Sequence, residues 1–291
     1  MKNLLATAYW ADDAAKLAEI ARALGHDADA ARFQAMFEKV RTAFQREWLR
    51  PDGQLVVETQ TAYLLALAFD LLPAEVRDRA AARLVENIRS LDAHLSTGFI
   101  GISHLNPQLT LTRHADVAYR LLLQETYPSW LYPVLHGATT IWERWNGWTH
   151  QDGFFNPQMN SFNHYSLGSV GEWLFRHVAG IELDPAAPGF QHFILQPFIG
   201  DGLEFARATY RTLHGEIESH WIRTGERLTW TVRVPANCSA RVYIPSRADT
   251  IVTESGAPRA RAEGLKALGR EDGFVVCSAA AGRYRFESTL R

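Results

Sequence analysis

Cysteine is nearly absent: Cys238 and Cys277 are the only two in 291 residues, and no CxxC occurs. That excludes a four-cysteine zinc site and favours two buried free thiols over a lone disulfide. No apolar run approaches the ~20 residues that cross a bilayer, so no membrane partner is expected. Lys2 is followed by no long apolar core with a small-residue cleavage site, so no signal peptide is read and the compartment stays unassigned. Neither charge sign dominates: 30 Lys and Arg stand against 32 Asp and Glu, a formal net charge of -2. Such a balance asks for no nucleic acid. GxSxG, HExxH, P-loop and GxGxxG patterns are missing too, which removes the common nucleophile, zinc and nucleotide chemistries.

Tryptophan, by contrast, is abundant. There are nine, and Trp130, Trp142, Trp145 and Trp148 crowd into one short stretch. An indole ring anchors a core or offers a flat apolar face to a ligand. Hydrophobic residues at 47% and charged residues at 21% are ordinary for a soluble globular chain of one large domain or two smaller ones.

Two hydrophobic periods divide the chain. Leu17, Ile20, Ala21 and Leu24 recur at helical spacing until Gly25 stops them, and Phe33, Met36, Phe37, Val40 and Phe44 repeat the pattern. Further helices are predicted at about 58–70, 74–92, 103–111, 114–124, 137–146 and 163–179, joined by short loops that favour antiparallel hairpins. The stretch 128–160 is rich in Pro, Gly and aromatics, the kind of segment on which a scaffold displays a site. Residues 184–189 read as a linker. Beyond them, alternating runs at 193–196, 206–210, 216–223, 227–234, 240–244, 274–277 and 284–286 predict an antiparallel β-sandwich. The expected domains are a helical one at 1–183 and a sandwich at 189–291. A purely structural role is favoured for the sandwich.

The strongest chemical candidate is Glu143, set between Trp142 and Trp145 with Arg144 beside it in the run 137–145. A carboxylate withdrawn from water needs hydrogen bonds or a partner charge. If this run is helical, Glu143 shares a face with Thr139 or Thr140. Indole faces suit the C–H-rich side of a sugar ring. The competing interpretation makes the tryptophans core residues and Glu143 half of an internal ion pair. A second cluster, 159–165, brings Asn160, Asn163 and His164, groups able to sort hydroxyls. Glu172 falls near the helical face of His164, two turns away, too far for joint metal ligation. Glu58, Glu125 and Asp152 have simpler explanations as helix-end and turn residues.

At these residues the sequence resembles glycoside hydrolase family 78, the bacterial α-L-rhamnosidases. The similarity runs through residues 96–101, 119–130, 137–148 and 159–173, strings of rare residues, and more weakly through 6–9 and 253–256. The resemblance implies an (α/α)6 six-hairpin barrel followed by a β-sandwich. It also implies inverting hydrolysis of terminal α-L-rhamnosides, with Glu143 as general base and His164 touching the rhamnose. Trp142, Trp145, Trp148 and Asn163 are added as further candidates for substrate contact. No metal or cofactor is needed for such acid–base chemistry. The family's general-acid string, Cys-Pro-Gln-Arg-Asp-Glu-Arg-like, and its Gly-Asp-Trp string do not occur, and about eight helices are read where a closed barrel needs twelve. The expectation is therefore a chain truncated at its N-terminal side that holds the base half of the site. The alternative is an inactive carbohydrate-binding fragment. Unfilled helix faces would favour self-association.

Overall fold

The computed structural model describes residues 1–258 and 262–290. It divides into two compact units, Met1–Ser169 and Val170–Arg291. The first holds helices α1 (Lys2–Ala23), α2 (Asp27–Trp48), α3 (Gln60–Ala68), α4 (Ala74–Ser90), α5 (Phe99–Leu111), α6 (Ala115–Leu122) and α7 (Leu131–Leu135). A two-residue ribbon, β1 (Trp148–Thr149) with β2 (Gly153–Phe154), and two 3-10 turns follow.

The helices pack as hairpins, α1 on α2, α3 on α4 and α5 on α6. Their burial follows their sequences. In α3, Ala62 through Leu67 are all buried, as a helix apolar on every side must be. On α4 only one stripe is buried, Val76, Ala80, Ala81, Leu84, Val85 and Ile88, and the other face is charged. Close approach of α5 to α3 rests on Gly101, where a Cβ would lie 2.1 Å from Thr97 Oγ1 and 3.3 Å from Thr61 Oγ1. On α1 the buried stripe is small (Leu4, Ala8, Ala11, Ala14, Ala18, Ala21), while Trp10, Leu17, Ile20 and Leu24 form a second, exposed apolar stripe.

Four helices end alike. After α1 the Gly25 amide bonds Arg22 O and the His26 amide bonds Ala21 O, with Gly25 at φ 75°, a Schellman cap. The same pair of bonds closes α4 at Asp92, α5 at Arg113 and α7 at Gly137. This last cap overturns the predicted helix at 137–146. Gly137, at φ 88°, terminates α7 rather than opening a new helix, and the chain beyond it is irregular. Glu143 and Thr139 therefore share no helical face. The helix predicted at 163–179 is also modified: it begins with a 3-10 turn at Ser166–Ser169, so His164 lies before it and the face it was to share with Glu172 does not exist.

The second unit opens with α8 (Val170–Trp173), which runs directly into a π-helical turn, Leu174–Val178. Strands follow: β3 (Ile181–Leu183), β4 (His192–Leu195), β5 (Phe205–Thr212), β6 (Gly215–Thr224), β7 (Arg227–Val234), β8 (Ser239–Pro245), β9 (Thr253–Glu254), β10 (Ala257–Pro258), β11 (Leu265–Glu271), β12 (Phe274–Ala279) and β13 (Gly282–Thr289). One sheet has the order β10-β9-β13-β7-β6-β5 and the other β11-β12-β8-β4-β3. All these pairings are antiparallel except β4 with β8. Every predicted strand is present; β3, β9, β10 and β11 were not foreseen.

The sandwich core comes from alternate residues, among them Ile217, Trp221, Leu228, Trp230, Val232 and Phe286 from one sheet and Phe193, Leu195, Val242, Ile244 and Val275 from the other. Ser219 links two of its buried polar groups: the Trp230 indole N–H donates to Ser219 Oγ at 2.9 Å, and Ser219 Oγ donates to Ala179 O at 2.6 Å. Cys238 and Cys277 are both buried and not joined in a disulfide, as expected, and burial raises the Cys238 pKa. No helix among the described residues is long and apolar enough to cross a membrane.

Candidate active site

Loops that precede α3, α5 and α7 carry the polar groups of the first unit. Thr59 caps α3 by accepting from the Ala62 amide at 3.2 Å. Gln60, fully buried, donates to His94 O and accepts from the Ser96 amide, tying the loop before α5 to the start of α3. His94 Nε2 meets Thr126 Oγ1 at 2.8 Å, and Gln124 Oε1 accepts from Thr126, so the loop before α7 joins the same network. The three loops form one framework of side-chain-to-backbone bonds between sequence-distant segments.

The irregular chain after α7 folds back on itself. Its two predicted clusters run side by side in opposite directions: the Glu143 amide donates to Ser161 O at 2.8 Å, and the His164 amide donates to Ile141 O at 2.9 Å. Thr140 Oγ1 adds a bond to Phe162 O at 2.5 Å. The Ser161 amide then donates to Glu143 Oε2 at 2.9 Å, which fixes the carboxylate of this half-buried residue. The second carboxylate oxygen is engaged by no protein donor among the described residues. It keeps its capacity to accept a hydrogen bond.

The neighbours of Glu143 have separate duties. Arg144 forms no ion pair with it; its Nε donates to Met159 O at 2.6 Å, and the guanidinium lies over the Phe155 ring. Asn160 Nδ2 donates to Gly147 O at 2.8 Å, closing the loop from the other side. Gly147 is required there, since a Cβ would come within 2.7 Å of Asn160 Oδ1.

The remaining predicted residues are distributed along this fold. Trp142 is only 7% exposed and packs edge-on against Phe162, with ring centroids 5.0 Å apart. Trp145, half-buried, stands edge-on to Trp130, whose indole N–H donates to Leu167 O at 2.8 Å. Trp148 lies in β1 against His150, at the end of an aromatic chain through His136, Tyr132 and Tyr127. His164 is stacked on Phe99 at 4.6 Å and on Tyr165 at 5.6 Å, which fixes its ring plane. Phe99 opens α5, so this stacking docks the 159–165 cluster to the helical framework. The Asn163 amide is held by Ser161 Oγ, and the residue is exposed. Among the lesser carboxylates, Asp152 accepts from Thr149 Oγ1 in the β1–β2 turn, as expected of a turn residue, Glu58 accepts from Tyr63, and Glu125 is exposed.

Sequence reasoning missed the parts of Ser161 and Phe99, and it tied Thr140 to Glu143 only as a helical neighbour. All three lie in the rare-residue strings 96–101, 137–148 and 159–173, but the contacts they make follow from backbone placement, which those strings do not disclose. No group of three metal-ligating side chains occurs among the described residues.

Residues 1–178 match the model of the bacterial alpha-L-rhamnosidase six-hairpin glycosidase domain, and residues 180–258 match that of the bacterial alpha-L-rhamnosidase C-terminal domain. The chain belongs to the bacterial α-L-rhamnosidase family. Its similarity to individual members is extensive. It is 42% identical to an alpha-L-rhamnosidase of Streptomyces avermitilis over 98% of its length, and 37% identical to one of Formosa agariphila over 98%. The crystal structure of the Streptomyces avermitilis α-L-rhamnosidase complexed with L-rhamnose superposes with a TM-score of 0.90 at 41% identity, covering 98% of this chain. The chain spans 26% and 31% of the length of those two curated rhamnosidases and 27% of the crystallised one. The fold expectation, six-hairpin glycosidase domain followed by a β-rich C-terminal domain, is thereby met.

Proposed function

We propose that this chain supplies the base side of a site that hydrolyses terminal α-L-rhamnosides with inversion. Glu143 takes a proton from water as that water attacks the anomeric carbon on the face opposite the departing group. The general acid, which protonates the departing oxygen, is assigned to a carboxyl outside this chain, because none of its own acidic residues lies in a string of the acid type. Inversion needs the two carboxyls roughly 6.5–9.5 Å apart, with room for the water between them. His164 and Asn163 bind sugar hydroxyls, Trp145 and Trp148 present ring faces to the sugar, and Trp142 backs Glu143 from within.

One observation carries this reading: a carboxylate held at a single oxygen by the Ser161 amide, in a segment paired along its backbone with the segment bearing His164. A carboxylate fixed at one oxygen and open at the other is shaped to orient a water molecule. The exposed stripe Trp10, Leu17, Ile20 and Leu24 adds a second proposal, that the chain on its own self-associates through α1.

The test is hydrolysis of an aryl α-L-rhamnoside and binding of L-rhamnose, measured on the folded chain and on Glu143→Gln and His164→Ala. Turnover is expected only when an acid-bearing segment is supplied, and Glu143→Gln should then lower it by ~10²–10⁴-fold. Turnover by the chain alone would overturn the division of the site. Retained anomeric configuration in the first product would overturn Glu143 as base. Rhamnose binding without turnover under any condition would leave the carbohydrate-binding fragment as the better account.

A further inference from the structure

The second unit holds a cavity that the proposed chemistry does not use. It encloses about 510 Å³ beside the edge strand β5, between the π-helical turn, β3 and the chain around Phe190. Two of its aromatic residues are exposed to an unusual degree for large rings in a concavity, Phe175 at 45% and Tyr210 at 41%. Phe190 completes the apolar wall. The Tyr210 ring is tilted 52° to Phe190 at 5.0 Å and 65° to Phe175 at 6.5 Å. None of these pairs is stacked face to face, so ring faces remain available to a ligand.

The same lining holds a fixed polar fork. Arg176 Nη1 donates to Glu172 Oε1 and Arg176 Nε to Glu182 Oε2, each at 2.6 Å. A guanidinium has five N–H donors, and these contacts use two of them. The remaining donors and Glu172 Oε2 sit preorganised at the cavity wall, while Glu182 Oε1 accepts from the Leu183 amide at 2.8 Å. Phe175 and Arg176 both lie in the π-helical turn, a rare conformation that occurs frequently at functional sites.

The chemistry of the wall selects the ligand. Two carboxylates against one guanidinium leave a net negative charge, which disfavours an anion. Three of the four carboxylate oxygens are already engaged by Arg176 and the Leu183 amide, which leaves a cation only Glu172 Oε2 as a ligand. A purely apolar ligand would strip water from the fork without replacing its hydrogen bonds. A neutral ring with one C–H-rich face and a rim of hydroxyls satisfies both sides, and the volume lies in the range of small-molecule sites. We propose that this cavity is a second carbohydrate-binding site, for one uncharged sugar residue, sharing no residue with the Glu143 site. It would hold a saccharide on the β-rich unit whether or not the chain hydrolyses rhamnosides.

The experiment uses the full chain carrying His164→Ala, so that failure of the proposed active site cannot mask or mimic the result. The probes are L-rhamnose, D-glucose and an aryl α-L-rhamnoside, read by calorimetry and by NMR of labelled Phe and Tyr rings. Saturable shifts of the Phe175, Phe190 and Tyr210 signals are expected with at least one probe. Tyr210→Ala should weaken that binding by about tenfold or more, the loss typical of removing an aromatic anchor, while Tyr210→Phe keeps the ring and the binding. Arg176→Gln should weaken it too, with the thermal transition checked to confirm folding. No shift of the three rings with any probe, or undiminished affinity in folded Tyr210→Ala, would overturn the site. Preference for an extended peptide over all three sugars would overturn it as well and assign the edge of β5 to a polypeptide.

Discussion

Two tryptophans of the sandwich and two of the irregular stretch after α7 are the same residue held in opposite ways. Trp221 and Trp230 are fully buried, directly opposite one another on adjacent strands, with their N–H groups bonded to Val178 O and Ser219 Oγ. Trp145 and Trp148 are half-buried and meet other rings edge-on, in chain held mainly by side-chain-to-backbone bonds. Burial by strand alternation makes the first pair part of a cooperative core. The second pair is placed by a loop whose own position depends on Asn160, Arg144 and Ser161. An indole's duty is therefore set by whether a regular ladder or a local clamp positions it.

Substitutions should separate the two duties. Trp230→Ala leaves a large void in a packed core and removes the donor to Ser219 Oγ, and a loss of ~3–5 kcal/mol is expected, seen as a lowered denaturation midpoint of the sandwich. Acid should weaken the same unit. His177 is buried, and burial lowers its pKa from the ordinary 6.5 to about 4. Between those values the unfolded chain binds more protons than the folded one. Stability is thus complete above about pH 6.5 and falls as pH drops toward 4, by up to about 3 kcal/mol. His177→Phe should flatten that dependence in urea titrations across this range. In the helical unit, Gly101→Ala drives a Cβ into Thr97 at the entry to α5 and presses on Thr61 of α3, and a loss of ~1–3 kcal/mol is expected in thermal unfolding. Trp148→Ala should change stability by under about 1 kcal/mol yet weaken L-rhamnose binding by calorimetry. If Trp148→Ala proved as destabilising as Trp230→Ala, the contrast between ladder and clamp would collapse.

Periodicity made most elements legible before any coordinates. The stripe Phe37, Val40 and Phe44 is buried as the spacing predicted, and strands such as Arg227–Val234 alternate cleanly. Errors arose where periodicity is not the cause of structure. Gly137 sits before a helix-like run but acts as the terminator of α7, because a left-handed residue closes the two capping bonds to Val134 and Pro133. Strand β11 is an almost wholly exposed edge with a bulge near Gly269, so it lacks the alternation that announces a strand. The strings around Glu143 and His164 were recognisable. Their antiparallel pairing was not, since it depends on individual hydrogen bonds across about twenty residues of aperiodic chain.

Strand β13 lies between β7 and β9, inside its sheet rather than at an edge. During synthesis, residues 282–289 leave the ribosome after every other strand of that sheet. Until they arrive, β7 has one unpaired side and Trp230 lacks the neighbouring Phe286 ring. The nascent chain thus carries an open, strand-shaped gap lined with apolar side chains, a template for capture by chaperones or for pairing with another nascent copy. Completion of the sheet waits on the last of its strands to be made, and a message damaged near these codons would yield a protein split through the middle of a sheet.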